Sequence, residues 1–529
     1  MWLQRFPRSA WLYAAAAGAL LLMAVAAATM APLDTDAGWM LVEARRLLDG
    51  ERLYVDMMET NPPLIVWLSV FPALLTTLGR VSDQRAVGLT IACLLSIATI
   101  LALRVMVREP ATPRPVRLLL LAAFLVTTVV FCAWDMGQRE QIAAILTLPY
   151  TVLAVRAVAG ERSPTGLAAS CGALAAVGFA IKPFFLGAFA AIELVVLAAA
   201  GWRRTLSRVD LYVIAGFQLA YVLVILMVTP EYVNRIVPAV VATYGAYGNG
   251  IRAVIGTSLF WLPLLVAMLA VIVSAIPGPA PSRAYARVLG AATLGWLAGY
   301  VIQGKGWPYH FIPVMVYCAL AVVATGAQLV AVLPSLRRQP AWLRAGSAAA
   351  LLVLVCACAR VSPAAWRSAR SDVQAILGRE QGGIQVLADV VSDLAVGEPI
   401  YALSTNMAPA FPVVNLAGAR WPYHYHFLWL IPGLYHGRTG TPIPYRAPDA
   451  QGPMERAFFD TVVSDLQRTP PRLLIVDRSR DQQGMAYGRP FDFVRYFSGS
   501  KEFVDFMRRY RLVVVLGPYA IYERGALTR

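Results

Sequence analysis

A polytopic α-helical membrane protein with a C-terminal α/β domain is the fold class that three observations predict. Only 14% of the 529 residues are charged, against 58% hydrophobic, whereas soluble domains carry about a quarter charged residues. Eleven apolar runs are long enough to cross a bilayer, which takes about 17 residues or more. From about Ser362 onward the apolar runs shorten and the charges rise. The same balance excludes a disordered chain, because apolar content this high collapses. Nucleic acid is excluded as a partner too. The net charge of +16 arises from 46 Lys+Arg over 30 Asp+Glu without one long basic run. The excess sits in short loops between apolar runs, where the positive-inside rule places it.

The runs lie at 11–30, 86–107, 117–133, 141–158, 165–181, 183–201, 209–228, 254–276, 286–302, 310–333 and 343–360. The first lacks a small-residue cleavage pattern and is long enough to span, so it reads as an anchor rather than a cleaved signal. A further stretch, 64–78, follows Asn61-Pro62-Pro63 and decides the topology by parity. If it lies in the interface or re-enters, the Arg-rich short loops share one side. These carry Arg5/Arg8, Arg108/Arg114/Arg117, Arg156/Arg162, Arg203/Arg204/Arg208, Arg283/Arg287 and Arg337/Arg338/Arg344. Eleven spans then put the N-terminus in the cytoplasm and the C-terminus outside. The bias is incomplete, since the outer loops hold Arg45, Arg46, Arg52, Arg80 and Arg85. Only three of the basic residues are lysine (Lys182, Lys305, Lys501); with the heavy alanine usage this points to a GC-rich bacterial genome and hence to the bacterial cytoplasmic (inner) membrane.

The expected division is a membrane module over 1–361, with a first outer loop over 31–85, and an extracytoplasmic (periplasmic) domain over 362–529. In the latter, 399–404, 472–477 and 512–522 read as strands, and 454–467 and 491–510 as amphipathic helices. All six cysteines lie in or beside apolar segments, which supports neither a disulfide framework nor a Cys-based zinc site. No internal repeat and no phosphate-binding glycine loop is visible.

With this topology the unusual polar clusters all fall outside. LDTDAGW carries Asp34 and Asp36, and GERLYVDMMETNPPL carries Glu59 and Asn61. WDMGQREQ carries Asp135, Gln138, Arg139 and Glu140, FAIKPFF carries Lys182, and QGKGWPYHF carries Gln303, Lys305, Tyr309 and His310. Charge at membrane depth is expensive and marks pathways or sites. A carboxylate there serves as general base on a hydroxyl, and nearby cations hold a phosphate leaving group.

The order of these motifs resembles the C-type (GT-C) membrane glycosyltransferases, particularly the branch containing protein O-mannosyltransferases and the aminoarabinose transferase of lipid A. It runs from an acidic motif after span 1 through TDAGWMLVEARRLLDGERLYVD, NPPL and an outer Asp to an outer Lys-Pro. GQRE, FAIKPFF and QGKGWPYHF look like a bacterial subgroup of that branch. The resemblance covers roughly 10–360, and the C-terminal domain only in placement and type. It implies a GT-C-like fold of about eleven spans, with Asp36 as catalytic base and Asp34 as a second carboxylate. Family members carry Asp-Glu in this motif, and Ala37 stands where the Glu is expected. Asn61 stands where they carry Lys or His, which leaves Arg139, Lys182 and Lys305 to bind the donor phosphate. Glu59, Asn61, Asp135, Gln138, Gln303, Tyr309 and His310 are substrate-binding candidates. No cofactor is required and no metal site is assigned, although a divalent ion fits the Asp34/Asp36 pair by charge.

Plainer readings stand beside these. Asp34 and Asp36 suit a helix cap or turn, and Asp135 suits a helix end or a pair with Arg139. Lys182 suits a snorkelling anchor, Lys305 between Gly304 and Gly306 suits a tight loop, and His310 suits an interfacial hydrogen bond. Tyr423, His424, Tyr425 and His426, with His436, suit an acceptor groove better than a metal site. The functional expectation is an inverting glycosyltransferase acting on a polyprenyl-phosphate sugar, with a glycan, lipid or protein acceptor. Its rivals are a polymerase or ligase of polyprenyl-linked oligosaccharides and, behind it, a lipid-linked sugar transporter or flippase, which predicts buried charges and a pseudo-repeat.

Overall fold

The computed structural model describes residues 8–108, 112–336, 367, 369–378, 383–435, 445–485 and 490–525. Twelve longer helices carry its first two thirds. They are α1 (Arg8–Met30), α2 (Thr35–Leu48), α3 (Leu64–Gly79), α4 (Asp83–Val107), α5 (Arg114–Val129), α6 (Arg139–Val158), α7 (Thr165–Ala180), α8 (Leu186–Ala200), α9 (Val209–Val228), α10 (Ser258–Val273), α11 (Ala280–Gln303) and α12 (Ile312–Leu336). Eight of the described helices are long and apolar enough to cross a membrane. Ten of the eleven apolar runs fall on helices, of which α7 and the apolar part of α10, Phe260–Val273, are shorter than that length. The run 343–360, the loop with Arg337, Arg338 and Arg344, Arg5 and His436 lie outside the described residues. The chain is a polytopic helical membrane protein with a small C-terminal sheet.

The contacts group the chain discontinuously into two compact units. One comprises 1–32, 84–222 and 249–380; the other comprises 33–83, 223–248 and 381–529. In the first, α6 is the central helix: it is buried from Arg139 to Arg156, with α7, α8, α11 and α12 packed around it. Lipid tails are as apolar as leucine, so such helices associate by close packing, with small residues at the contact. Gly295 and Gly299 of α11, spaced as Gly-x-x-x-Gly, provide that contact. A Cβ built on Gly295 falls 2.5 Å from the Ala188 Cα, and one on Gly299 falls 2.9 Å from the Phe184 carbonyl. Gly88 of α4 meets α1 in the same way, 2.5 Å from the Ala28 carbonyl.

In the second unit α2 and α3 share a core of Leu41, Ala44 and Ala73. The sheet is ordered β1-β2-β4-β3, from β1 (Ile400–Leu403), β2 (Leu473–Asp477), β3 (Tyr510–Leu516) and β4 (Tyr519–Arg524). β1, at the sheet edge, and β2 are parallel and wholly buried, whereas β2–β4 and β4–β3 are antiparallel. Two expectations are corrected here. The strand expected over 512–522 is a hairpin, because Gly517 (φ 54°) and Pro518 turn the chain between β3 and β4. The helix expected over 491–510 is two, Phe493–Phe497 and Lys501–Met507. The Ser500 hydroxyl accepts the Phe503 N–H and so caps a new helix start.

Gly295→Val is expected to lower stability by at least the roughly 1–3 kcal/mol of an overpacked core, read by detergent-titrated unfolding of the purified protein. Unchanged stability would place α8 and α11 further apart than described.

Candidate functional site

The candidate residues fall into two clusters, one within each unit. The first is built on the N-terminal end of α6. Gln141 fixes its entry loop: its Oε1 accepts the Gly137 N–H at 2.8 Å and its Nε2 donates to the Thr128 carbonyl at 2.6 Å. That staple buries Gln138, Arg139 and Glu140 side by side, with Glu140 wholly shut from solvent. The Lys182-Pro183 step between α7 and α8 forces an extended backbone at Lys182 (φ −141°, ψ 138°), as the residue before a proline prefers. The lysine then donates from Nζ to Glu140 Oε1 at 2.6 Å. His310, at the start of the α12 segment, brings Nε2 to 3.6 Å from the same carboxylate oxygen and 3.5 Å from Lys182 Nζ. Its neighbour Tyr309 presents its ring 5.9 Å from both the Arg139 guanidinium and the Lys182 ammonium.

The α11–α12 loop adds a third cation. Gly304 and Gly306 take positive φ (63° and 69°), and Lys305 between them rests its Nζ 4.4 Å from the Trp307 ring. Trp307, Tyr309 and His310 pack against one another with ring centroids 4.5–5.6 Å apart. The charges of Arg139, Lys182 and Lys305 all act on His310. The fold therefore brings together Arg139, Lys182, Lys305, Tyr309 and His310, whereas Asp36 belongs to the other cluster. Gln138 comes with them, its Oε1 3.5 Å from the Arg139 guanidinium. Gln303 is instead turned onto its own helix, where Nε2 donates to the Gly299 carbonyl, and the Asp135 carbonyl accepts the Gln138 N–H.

Glu140 belongs to the WDMGQREQ cluster in sequence, but sequence reasoning gives it no role. In sequence it reads as an ordinary first-turn acid, favoured by the helix dipole. In the fold it is the counter-charge of a buried lysine. Its Oε2 is buried and accepts no hydrogen bond among the described residues. A buried pair of this kind is costly to break, about 3–5 kcal/mol when one partner is removed. Guanidinium and ammonium donors such as these match phosphate oxygens.

The second cluster is built on the start of α2. Asp34 is the N-cap: its Oδ1 accepts the Ala37 N–H at 3.0 Å. The cap reading of Asp34 is thus realised, and Asp36 stands in the first turn behind it, partly exposed. Glu59, fully buried, holds the Asn61-Pro62-Pro63 turn. Its Oε1 accepts the Asn61 backbone N–H at 2.7 Å and the Asn61 Nδ2 at 2.5 Å, while Oε2 accepts from Trp39 Nε1 at 2.7 Å. Trp39 stacks on His426 with ring centroids 4.7 Å apart. Glu59 therefore ties the Asn61 turn to Trp39 of α2, the helix on whose first turn Asp36 stands. Burial, and then the Glu59 charge, push the Tyr232 hydroxyl up to about 12, so it stays a donor at neutral pH. His424 pairs through Nδ1 with Asp465 at 2.8 Å. A divalent ion at Asp34/Asp36 fits poorly, since Asp34 already spends one oxygen on its cap. Among the described residues no three His, Cys, Asp or Glu side chains gather as metal ligands.

No family model and no curated protein matches the chain. Among solved structures it is similar to ArnT from Cupriavidus metallidurans bound to undecaprenyl phosphate, with 12% identity, 98% of this chain and 99% of that one covered, and a TM-score of 0.52. The same protein in the apo state matches with 12% identity, 97% and 98% coverage, and a TM-score of 0.54. Arabinofuranosyltransferase AftD from Mycobacteria is 16% identical over 98% of this chain and 42% of its own, but its TM-score of 0.43 carries no argument. The likeness to ArnT shows the fold: the resemblance to GT-C membrane glycosyltransferases holds at that level, over nearly the whole of both chains.

The Glu140–Lys182 pair yields a cycle of variants. Glu140→Gln and Lys182→Met are each expected to destabilise the purified protein by about 3–5 kcal/mol, whereas the double variant loses clearly less than the sum. Additive losses in thermal unfolding would remove the pair from the account.

Proposed function

We propose that this chain is an inverting glycosyltransferase. It moves a sugar from a polyprenyl-phosphate donor to an acceptor hydroxyl at the outer face of a bacterial cytoplasmic membrane. The observation that carries the reading is the buried cation cluster of Arg139 and Lys182 around Tyr309 and His310, with Lys305 beside it. It occurs in a fold shared with a protein solved with undecaprenyl phosphate bound. A phosphate attached to a lipid and leaving with its charge needs such donors, preorganised where water is scarce.

The chemistry then divides between the clusters. Asp36 is the general base and takes the proton of the acceptor hydroxyl. The acceptor oxygen attacks the anomeric carbon from the face opposite the phosphate, the bond from that carbon to the phosphate oxygen breaks, and configuration inverts. The electron pair stays on the departing lipid phosphate, which Arg139, Lys182 and Lys305 stabilise. Tyr309, His310 and Gln138 contact the sugar phosphate, and Asp135 and Gln303 are outer candidates for sugar contacts. Asp34, Glu59 and Asn61 act by positioning Asp36 and the start of α2. The proposal keeps the N-terminus cytoplasmic, segment 64–78 in plane or re-entrant, and the C-terminal domain outside, where it selects a glycan, lipid or protein acceptor.

Asp36→Asn is expected to cut transfer of tritiated sugar from undecaprenyl-phosphate hexoses or pentoses by about 10²–10⁴-fold, measured in membranes holding wild-type amounts of the inserted variant. Undiminished transfer would refute the role of Asp36.

A further inference from the structure

At the far end of α6 from the cation cluster lies a cavity of about 370 Å³, within the range of roughly 300–1,000 Å³ typical of ligand pockets. α6 has 20 residues, which at about 1.5 Å per residue separates the two ends by roughly 30 Å, the thickness of a bilayer core. The α6–α7 and α8–α9 loops line the cavity, among them Arg162, Ser163, Arg204, Ser207, Arg208 and Asp210.

The acids around this cavity are already committed. Arg208 donates to Glu193 at 2.9 Å and to Asp210 at 2.5 Å, and the Tyr150 hydroxyl donates to Glu193 at 2.5 Å. Arg156 pairs with Glu161 at 2.9 Å, bonds the Ser163 hydroxyl at 3.1 Å and donates to the Arg162 carbonyl at 2.9 Å. These bonds set the walls and leave Arg162 and Arg204 with no carboxylate partner among the described residues. Both are exposed. Positive charge in an inner loop is ordinary; two uncommitted guanidinium groups lining one concave, hydroxyl-bearing site are a phosphate cradle, because the planar fork matches phosphate oxygens. The short helix Trp202–Thr205 supplies Arg204, with Trp202 62% exposed and Arg203 stacked 5.3 Å from its ring. Tyr212, 60% exposed, lies just beyond. Exposed Trp and Tyr mark the depth of lipid headgroups.

We propose that this cavity binds a phosphate-bearing anion at the membrane face opposite the cation cluster, with Arg162 and Arg204 as its guanidinium ligands. An anionic phospholipid headgroup and free phosphate share that chemistry, and basic pockets between membrane helices are known headgroup sites.

The test uses the full-length chain in detergent, with thermal unfolding followed during titration with phosphatidylglycerol, phosphatidylcholine or inorganic phosphate. Phosphatidylglycerol is expected to raise the midpoint, and Arg162→Gln/Arg204→Gln to weaken that response about tenfold or more, since one charge-assisted hydrogen bond contributes about 1.5–3 kcal/mol. A variant-sensitive response to phosphatidylglycerol alone identifies a lipid headgroup. The same response to inorganic phosphate identifies a soluble phosphate; both support the site. An equal response to phosphatidylcholine, or a double variant that responds like wild type, overturns it. Arg162→Lys/Arg204→Lys, which keeps the charge, serves in place of the glutamine variant should that one not fold.

Discussion

A lysine and a glutamate shut away from water must find each other. The Lys182–Glu140 contact at 2.6 Å is that constraint, and the arrangement of the first unit follows from it. The pair ties the start of α6 to the step between α7 and α8, and His310 joins the start of the α12 segment to the same oxygen. An isolated buried charge is far more costly than the pair, so the contact fixes the approach of three helical segments. The cation cluster and the helix packing are thus one structure seen from two sides.

That packing is tight enough to keep such geometry. Backbone meets backbone at Gly295, Gly299 and Gly88, where even a methyl group would collide. Close-packed helices do not yield continuously, so the donors of the cation cluster are held in place before any ligand arrives. Preorganisation of this kind is what electrostatic stabilisation of a leaving phosphate requires. In the second unit the equivalent task falls to Glu59, whose two oxygens tie Trp39 to the Asn61 turn, and to Asp34, which caps α2. Asp36 then stands on a helix start braced from both directions.

Much of this is legible in the sequence because hydrophobic runs and charge spacing are local signals. The described helices follow the apolar runs, and Arg139, Lys182, Lys305, Tyr309 and His310 stand out as polar residues at the ends of such runs. What is not legible depends on pairing in space. Glu140 follows Arg139 directly, and nothing in its neighbourhood announces a lysine 42 residues onward as its partner. Glu59 reads as a ligand for substrate, and in the fold its oxygens accept from Asn61 and Trp39. The β3–β4 hairpin reads as one strand because Leu512–Tyr522 is apolar throughout apart from the Gly517-Pro518 turn. Asp34 reads by spacing as a second carboxylate or as a cap, and only its bond to Ala37 decides what its Oδ1 does.

The central claim is that the buried cation cluster is built for the phosphate of a lipid-linked donor. The most direct measurement is a structure of the chain with a polyprenyl phosphate bound. The account predicts phosphate density within hydrogen-bonding distance of Lys182 Nζ and the Arg139 guanidinium, beside Tyr309 and His310, with Glu140 still holding the lysine. Phosphate density elsewhere, with the Glu140–Lys182 pair closed and no ligand near it, would contradict the claim and leave the cluster a packing device.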